Sequence, residues 1–474
     1  MSIQTLVEKI KEKGNPTVAG LDARLEYIPQ HISGRNMMLH GETLRAAAES
    51  VVAFNCGLID ALCDIVPAVK PQAAYYELLG SYGAMALKET IDYAHAKGMY
   101  VIGDIKRNDI GATATAYAES SVTVYGRIDV GVGASHVDNG LGSTVNNVEM
   151  ISGGGTSNRI GIKGTEDLGN GYKVKFVLEN GFDSDTGAEG SEGLAFSREA
   201  TLQIESPYGI LAAGRSSVLG TDGGSFNLLG NVNPFGTGIW EIGNQNIVYA
   251  KLPASRNDNA VIYRSPVMNG FQLTTQYSMG EEDHENRSTS DHYFGLGVTW
   301  KGSQAEGVVL FERVNEKLTT LKRNPKDMWR VTAGGNWKLQ SFTTYLSLQY
   351  FRNADAVGTP AFGDMKDHGI GKISAAQLKV IDGLKGGSVI LGFSTPVLGG
   401  NLLGAAGYVH ADTDEYASKL KVDGGFVGLG YQYAFSKNTK LYSAIGASGA
   451  KYKSSNESIK PKAFYGTLGL SHYF

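Results

Sequence analysis

Cysteine is almost missing: Cys56 and Cys63 are the only two in 474 residues, which excludes a disulfide framework. Long apolar runs are missing too, so no helical membrane span is read from hydropathy, and mean hydropathy is −0.16. Net charge is only −4, which leaves no basic footprint for nucleic acid. Charged residues make up 19% and hydrophobic residues 42%, which excludes the charge-rich profile of a disordered chain. At about 150 residues per domain the length allows roughly three units, or a large one and a small one.

What is present is distributed unevenly. Both cysteines lie in the first 119 residues, whereas Trp240, Trp300, Trp329 and Trp337 all lie after them. Only 10 of the 63 glycines fall in residues 1–119, and 53 fall in the remaining 355, nearly a doubling in frequency. The composition therefore predicts two segments of different origin, 1–119 and 120–474.

The first segment alternates short apolar runs with helical stretches. Thr17–Leu21, Val66–Lys70 and Tyr100–Asp104 read as strands, and Glu42–Leu62 and Leu78–Ala96 as helices, the pattern of parallel βα units. Each strand ends in charge: Asp22 and Arg24, then Lys70, then Asp104, Lys106 and Asp109. Polar groups at the C-terminal ends of such strands are where (β/α)₈ barrels place their chemistry. A lysine between carboxylates stays protonated, which suits it to deliver a proton to a developing carbanion. A solvated charged loop has the same letters.

Read together, Gly20-Leu21-Asp22-Ala23-Arg24, Val69-Lys70-Pro71-Gln72-Ala73-Ala74-Tyr75-Tyr76-Glu77 and Asp104-Ile105-Lys106-Arg107-Asn108-Asp109-Ile110-Gly111-Ala112-Thr113 resemble orotidine 5′-phosphate decarboxylase, in its longer bacterial branch. The resemblance covers about 115 residues. It implies cofactor-free decarboxylation of orotidine monophosphate, with Lys70, Asp104, Lys106 and Asp109 as the catalytic Lys-Asp-Lys-Asp network and Lys106 as proton donor. Asp22 would bind the ribose, and Asp109 and Thr113 would reach a neighbouring subunit's site. Asn108 departs from the family's usual glycine. The five βα units that carry the family's phosphate grip are not found in the sequence, so this partial TIM-barrel segment is expected to have little or no activity.

From Ser120 the period becomes two. In Val122–Val130 the even positions are apolar or small and the odd ones mostly polar. Similar stretches recur at Arg159–Gly164, Lys173–Glu179, Thr201–Glu205, Gly270–Tyr277, His292–Trp300, Phe342–Tyr350, Gly424–Tyr433, Lys440–Ala447 and Phe464–Phe474, separated by turns rich in glycine, asparagine and aspartate. Such alternation fits a soluble sandwich or a transmembrane barrel. At about 22 residues per strand and connection, 355 residues give about 16 strands, the size that leaves an aqueous channel. The expected fold is thus mostly β, a 16-stranded antiparallel transmembrane barrel.

Ser121–Gly126, Ser157–Gly171 and Asn259–Pro266 resemble the trimeric general porins of β-proteobacteria, and the closing strand ending in Phe474 resembles their outer-membrane assembly signal. The resemblance implies passive passage of small hydrophilic solutes through a homotrimer in the outer membrane, in contact with its lipid and assembly machinery. No cofactor, metal or nucleic acid is expected. A constriction loop is expected at about Ser216–Gln245, with Asp222 and Glu241 as its few acids. Alternation is expected to turn Arg127, Asp129, Arg159, Lys163, Lys173, Lys175 and Arg215 toward the pore, a basic excess that leans to anion preference, although many such residues simply solvate a barrel wall. Residues 1–30 hold no basic-then-apolar export leader, which argues against export of this chain as written. Ala116–Ser120 reads both as decarboxylase sequence and as the end of a porin leader. The expectation is therefore a fusion of two coding sequences, by recombination or faulty assembly: an outer-membrane diffusion porin or, alternatively, a decarboxylase with a porin-like extension.

Overall fold

A computed structural model describes residues 3–22, 24–104, 120–221, 223–236, 242, 247–279, 292–315, 326–354, 356–357, 383–413, 420–453 and 458–474. The chain forms two compact units, Met1–Ser121 and Val122–Phe474.

In the first unit β1 (Val18–Leu21), β2 (Ala68–Pro71) and β3 (Tyr100–Val101) form a three-stranded parallel sheet in that order. The register runs Val18↔Ala68 to Leu21↔Pro71, and Ala68↔Tyr100. Helices α1 (Ile3–Lys13), α2 (Gln30–His40), α3 (Leu44–Leu62), α4 (Ala73–Glu77) and α5 (Gly80–Ala96) supply the connections. Thr43 caps α3, its hydroxyl accepting from Ala46 N at 3.2 Å. The core is Leu21, Ile59, Val66, Val69, Ala94 and Met99, with a second cluster around Val51 and Tyr76. Asn55 Nδ2 donates to the buried Tyr76 hydroxyl at 2.8 Å, and burial pushes that phenol up to about 12.

In the second unit the strand segments are β4 (Ser120–Asp138), β5 (Thr144–Ser152), β6 (Arg159–Gly169), β7 (Tyr172–Gly181), β8 (Glu199–Ser206), β9 (Gly209–Ser217), β10 (Arg256–Arg264), β11 (Phe271–Ser278), β12 (Tyr293–Lys301), β13 (Ala305–Val314), β14 (Met328–Leu339), β15 (Phe342–Ala354), β16 (Leu384–Val397), β17 (Gly400–Thr413), β18 (Lys421–Ala434), β19 (Thr439–Lys453), β20 (Ser458–Ile459) and β21 (Lys462–Tyr473). They close into a barrel. Two strands are interrupted. β5 and β6 both pair with β4, and β20 and β21 both pair with β19, so the segments make a 16-stranded antiparallel barrel. Pro461, which has no N–H to give the ladder, sits at the second break. Closure runs from Lys462↔Asp138 to Tyr473↔Arg127, and Phe474 N donates to Gly126 O at 3.2 Å.

One rim carries short turns such as 170–171, 340–341 and 398–399; the other carries the longer connections. Outward-facing Val122, Val124, Val132, Leu429, Ile445, Leu468 and Leu470 are exposed, as a lipid-facing belt requires. Aromatics mark its edges. Phe294, Phe311, Trp329 and Tyr350 form a ladder across four strands with centroids 6.3, 6.5 and 5.5 Å apart. Toward the short-turn rim Phe342 stacks on Phe393 at 5.5 Å.

Candidate functional site

The described residues of the 218–255 connection between β9 and β10 touch inward positions on strands around much of the barrel, which is possible only for residues lying inside it. The loop follows the wall in order. Leu228 lies over Gly297 of β12, Val232 over Gly334 of β14, Pro234 over Gly392 of β16, Phe235 over Gly430 of β18 and Ile242 over Gly446 of β19. A β-carbon at Gly392, Gly430 or Gly446 would lie 2.5, 2.8 or 2.7 Å from the loop side chain, so the wall at these points has room only for glycine. The loop then returns to β15, where Ala250 N donates to Gln349 at 2.8 Å and Tyr249 meets Ser347.

Both roots of the loop are tied to one buried ion pair. Glu312 on β13 and Arg330 on β14 are 0% and 4% exposed and joined at 2.6 Å. Glu312 Oε1 accepts from Gly220 N at 3.0 Å and from the Tyr293 hydroxyl at 2.9 Å. Arg330 donates to Ala250 O at 2.6 Å and Gly220 O at 3.3 Å. Every polar atom of the pair that faces the loop has work to do, which is what a buried pair needs.

The wall formed by β4–β10 is basic. Glu179 Oε1 takes Arg198 at 2.7 Å and Arg159 at 3.5 Å, and Glu179 Oε2 accepts from the Tyr125 hydroxyl at 3.0 Å. Arg127 lies 3.8 Å over the Tyr473 ring and feels the charges of Arg159, Asp129, Arg198 and Glu179. Arg256 donates to Arg198 O at 3.0 Å, and Arg264 lies 4.7 Å over the Phe226 ring of the loop. Lys163 lies 5.0 Å over Tyr125, Lys173 pairs with Asp167 at 3.4 Å, and Lys175 pairs with Glu205. Arg127, Lys163, Arg256 and Arg264 have no carboxylate within ion-pair distance among the described residues, so positive charge is left over.

Two of the residues expected along the pore are placed differently. Asp129 is 0% exposed: its carboxylate accepts from Gly155 N at 3.1 Å, Thr156 N at 3.0 Å and the Tyr442 hydroxyl at 2.7 Å. It holds down the segment that breaks β5 from β6 and does not front water. Arg215 lies opposite Ala200, in the parity of exposed Leu211 and Ala213, and is spent on Ser197 O at 2.9 Å and Asp258 at 2.5 Å. Alternation holds along β9 and turns Arg215 outward; Ile210-Leu211-Ala212-Ala213-Gly214 ahead of it is apolar or small on both faces, so the sequence gives no polar face to fix the parity. Asp222 and Glu241 lie outside the described residues. Arg198, Arg256, Arg264, Glu312 and Arg330 were not singled out by the sequence reading, although the last two stand at even, inward positions of their strands.

In the first unit the strand ends bring Asp22, Lys70 and Asp104 together. Lys70 Nζ is 3.0 Å from Asp104 and 3.7 Å from Asp22. Partial burial works against this ammonium, but the two carboxylates outweigh it and hold Lys70 above the usual lysine range. Lys106, Asp109 and Thr113 lie outside the described residues.

A family profile described as Gram-negative porin matches residues 110–452. An outer membrane porin protein of Bordetella pertussis is 30% identical over 364 residues, covering 70% of this chain and 90% of that one. The anion-selective porin from Comamonas acidovorans shares the fold, with a TM-score of 0.55 at 22% identity over 75% of this chain and all of that one. The N-terminal part matches orotidine 5′-phosphate decarboxylase of Rhodopirellula baltica, 44% identical over 111 residues, 23% of this chain and 36% of the relative. The Petrotoga mobilis enzyme is 39% identical over 120 residues, 25% of this chain and 38% of the relative, so the chain spans little more than a third of these decarboxylases. The chain belongs to the Gram-negative porins, the proteins of the outer membrane through which solutes diffuse, and carries ahead of its barrel a segment homologous to part of orotidine 5′-phosphate decarboxylase.

Proposed function

We propose that this barrel passes small hydrophilic solutes with a preference for anions, through an opening bounded by the 218–255 loop on one side and the β4–β10 wall on the other. The observation that carries the reading is the surplus of unpaired cations on that wall: Arg127, Lys163, Arg256 and Arg264. Fixed charge at a narrow, low-dielectric opening selects by attracting the opposite sign. Lys173 and Lys175 are spent on Asp167 and Glu205 and contribute less. The test is the reversal potential of the full chain in a planar bilayer under a KCl gradient. Anion selectivity is expected, weakened in an Arg127→Ser/Arg256→Ser variant; cation selectivity of the unmodified barrel would overturn the reading. A homotrimer is part of the proposal, and it predicts an oligomer in detergent that dissociates on heating.

A second reading, decarboxylation by the first unit, is supported by the Lys70–Asp104 and Lys70–Asp22 approaches. With little more than a third of the enzyme's length, the expected outcome is no measurable formation of uridine monophosphate by the full chain. Formation abolished by Lys106→Ala would reverse that expectation.

A further inference from the structure

The two open edges of the first unit fit each other. On β3 and its continuation, the N–H groups of Tyr100, Ile102 and Asp104 donate to the carbonyls of Pro67, Val69 and Pro71 at 2.9, 2.9 and 3.2 Å. Backbone groups alternate along an extended strand, so Val101 and Gly103 turn their N–H and C=O away from β2. No strand among the described residues receives them, and none lies on the far side of β1. Such a row of backbone groups is a template for another chain. The usual safeguards are missing: neither Val18–Leu21 nor Tyr100–Gly103 contains proline or lysine, and the β1–β2 register runs without a bulge.

Both faces of this sheet are apolar. Ala19, Leu21, Val69 and Val101 pack with Ile59 and Met99 under the helices. By alternation Val18, Ala68, Tyr100 and Ile102 point the other way, the pattern of a parallel sheet that is covered on both sides. The porin barrel has no strand to lend, because its own sheet is closed. Among the described residues the open edges of this chain are β1 and β3, and they run in the same direction. A copy that lays its β1 beside another's β3 continues the parallel order, keeps the helix-facing side chains on one face, and uses both edges with one kind of joint.

We propose that the first unit pairs with further copies of itself through this joint, β1 of one copy against β3 of the next. The register Val18↔Ala68 and Ala68↔Tyr100, carried two residues along, puts Gly20, Lys70 and Ile102 in one layer. Gly20 of one copy then faces Ile102 of the other. Two residues further on, Asp104 approaches Asp22 of the other copy. Both acids are already compensated at home, since Lys70 Nζ lies 3.0 Å from Asp104 and 3.7 Å from Asp22.

The test is disulfide cross-linking of the full chain, with Cys56 and Cys63 changed to serine, co-refolded in detergent. Neighbouring strands lie about 4.8 Å apart, a separation that a disulfide spans. Gly20→Cys has room, because a β-carbon there meets only the Asp22 carboxylate, at 3.8 Å. A mixture of Gly20→Cys and Ile102→Cys chains should give, after heating and without reductant, a band at twice the 50.5 kDa of one chain. So should Val18→Cys mixed with Tyr100→Cys, two residues back on the same face. Each variant alone should run as a single chain, and so should Ile102→Cys mixed with Lys88→Cys, a site on the exposed side of α5. Heating dissociates oligomers held by the barrel, so a failure of the homotrimer and a failure of this joint read out separately. Absence of the doubled band from both edge mixtures overturns the proposal. Cross-linking of an edge variant with itself assigns antiparallel pairing of like edges and overturns it too, and an equal band in the Lys88→Cys mixture leaves only proximity.

Discussion

Both units of this chain expose large apolar side chains, for opposite reasons. In the barrel, exposed Val122, Val124, Ile128 and Val132, and likewise Leu468 and Leu470, recur at every second or fourth position of closed strands, so they belong to a belt. In the first unit, Tyr27 at 64%, Met38 at 90% and Leu39 at 65% cluster around α2, a helix with no buried residue. There the sheet stops at three strands, and β1 and β3 each keep an edge without a strand partner among the described residues. Exposure carries meaning only when read with periodicity and closure. The barrel satisfies its backbone by running round on itself, whereas the first unit is a sheet that has not been completed.

The sharpest way to test the barrel's side of that contrast is to cut the tie between loop and wall. Arg330→Met leaves Glu312 buried without its cation, at a cost of about 3–5 kcal/mol, and leaves the Gly220 and Ala250 carbonyls without their donor. Single-channel conductance in planar bilayers should become larger and noisier, while the barrel, whose strand ladder is untouched, keeps its heat-modifiable mobility on gels. Unchanged conductance would show that the loop is held by its glycine seats alone.

The next effect separates the units. Among the described residues every α-helix lies in the first unit, whereas all four tryptophans lie beyond it. Circular dichroism at 222 nm therefore follows one unit and tryptophan fluorescence the other. Two transitions are expected in urea, the helical one first. Ile59→Ala, at a fully buried core position, should cost about 2–5 kcal/mol and move only the helical transition. Coincident curves would break the comparison.

A smaller effect concerns a single glycine seat. Gly392→Leu pushes a side chain into Pro234, an overpacking of about 1–3 kcal/mol, and should reduce or destabilise the open-channel current with little change in strand content by circular dichroism. Such seats could not be read from the sequence, and they explain what could. Strands that face water on one side, such as β4, β7 and β8, show clean alternation and were legible. β13, β16 and β17 were not picked out, because their inward residues Val308, Leu310, Ile390, Leu403, Ala405 and Val409 pack in the same buried cluster as the loop, leaving both faces apolar. The same loop hides the function of Glu312 and Arg330: each reads as one more polar inward residue until Gly220 and Ala250 are seen against it. Asp129 was legible as inward, but the fold of residues 153–158 that seals it was not, since that depends on Tyr442 from across the closure. In the first unit Asp22, Lys70 and Asp104 were legible because parallel strands end together whatever follows them.

The smallest effect is a pH dependence confined to the first unit. Hydrogen bonds from Lys97 and then Tyr93 hold the Asp60 carboxyl below its usual range, and Arg45, with help from His40, does the same for Glu49. A carboxyl with a lowered folded pKa binds fewer protons in the native state, so its contribution is complete above the ordinary carboxylate value near 4 and is lost as the pH falls through and below it. Lys97 is shifted the opposite way by Asp60, so its share persists to the ordinary lysine value near 10.4 and is lost above it. All of these groups sit at the surface, where salt screens them, so the slope should be shallow and should flatten further in high salt. The helical transition is thus expected to weaken on the acid side. Asp60→Asn should remove part of that slope, while the tryptophan transition stays unmoved by the substitution. A matching acid shift of the tryptophan signal caused by Asp60→Asn would mean that the incomplete sheet and the closed barrel unfold as one.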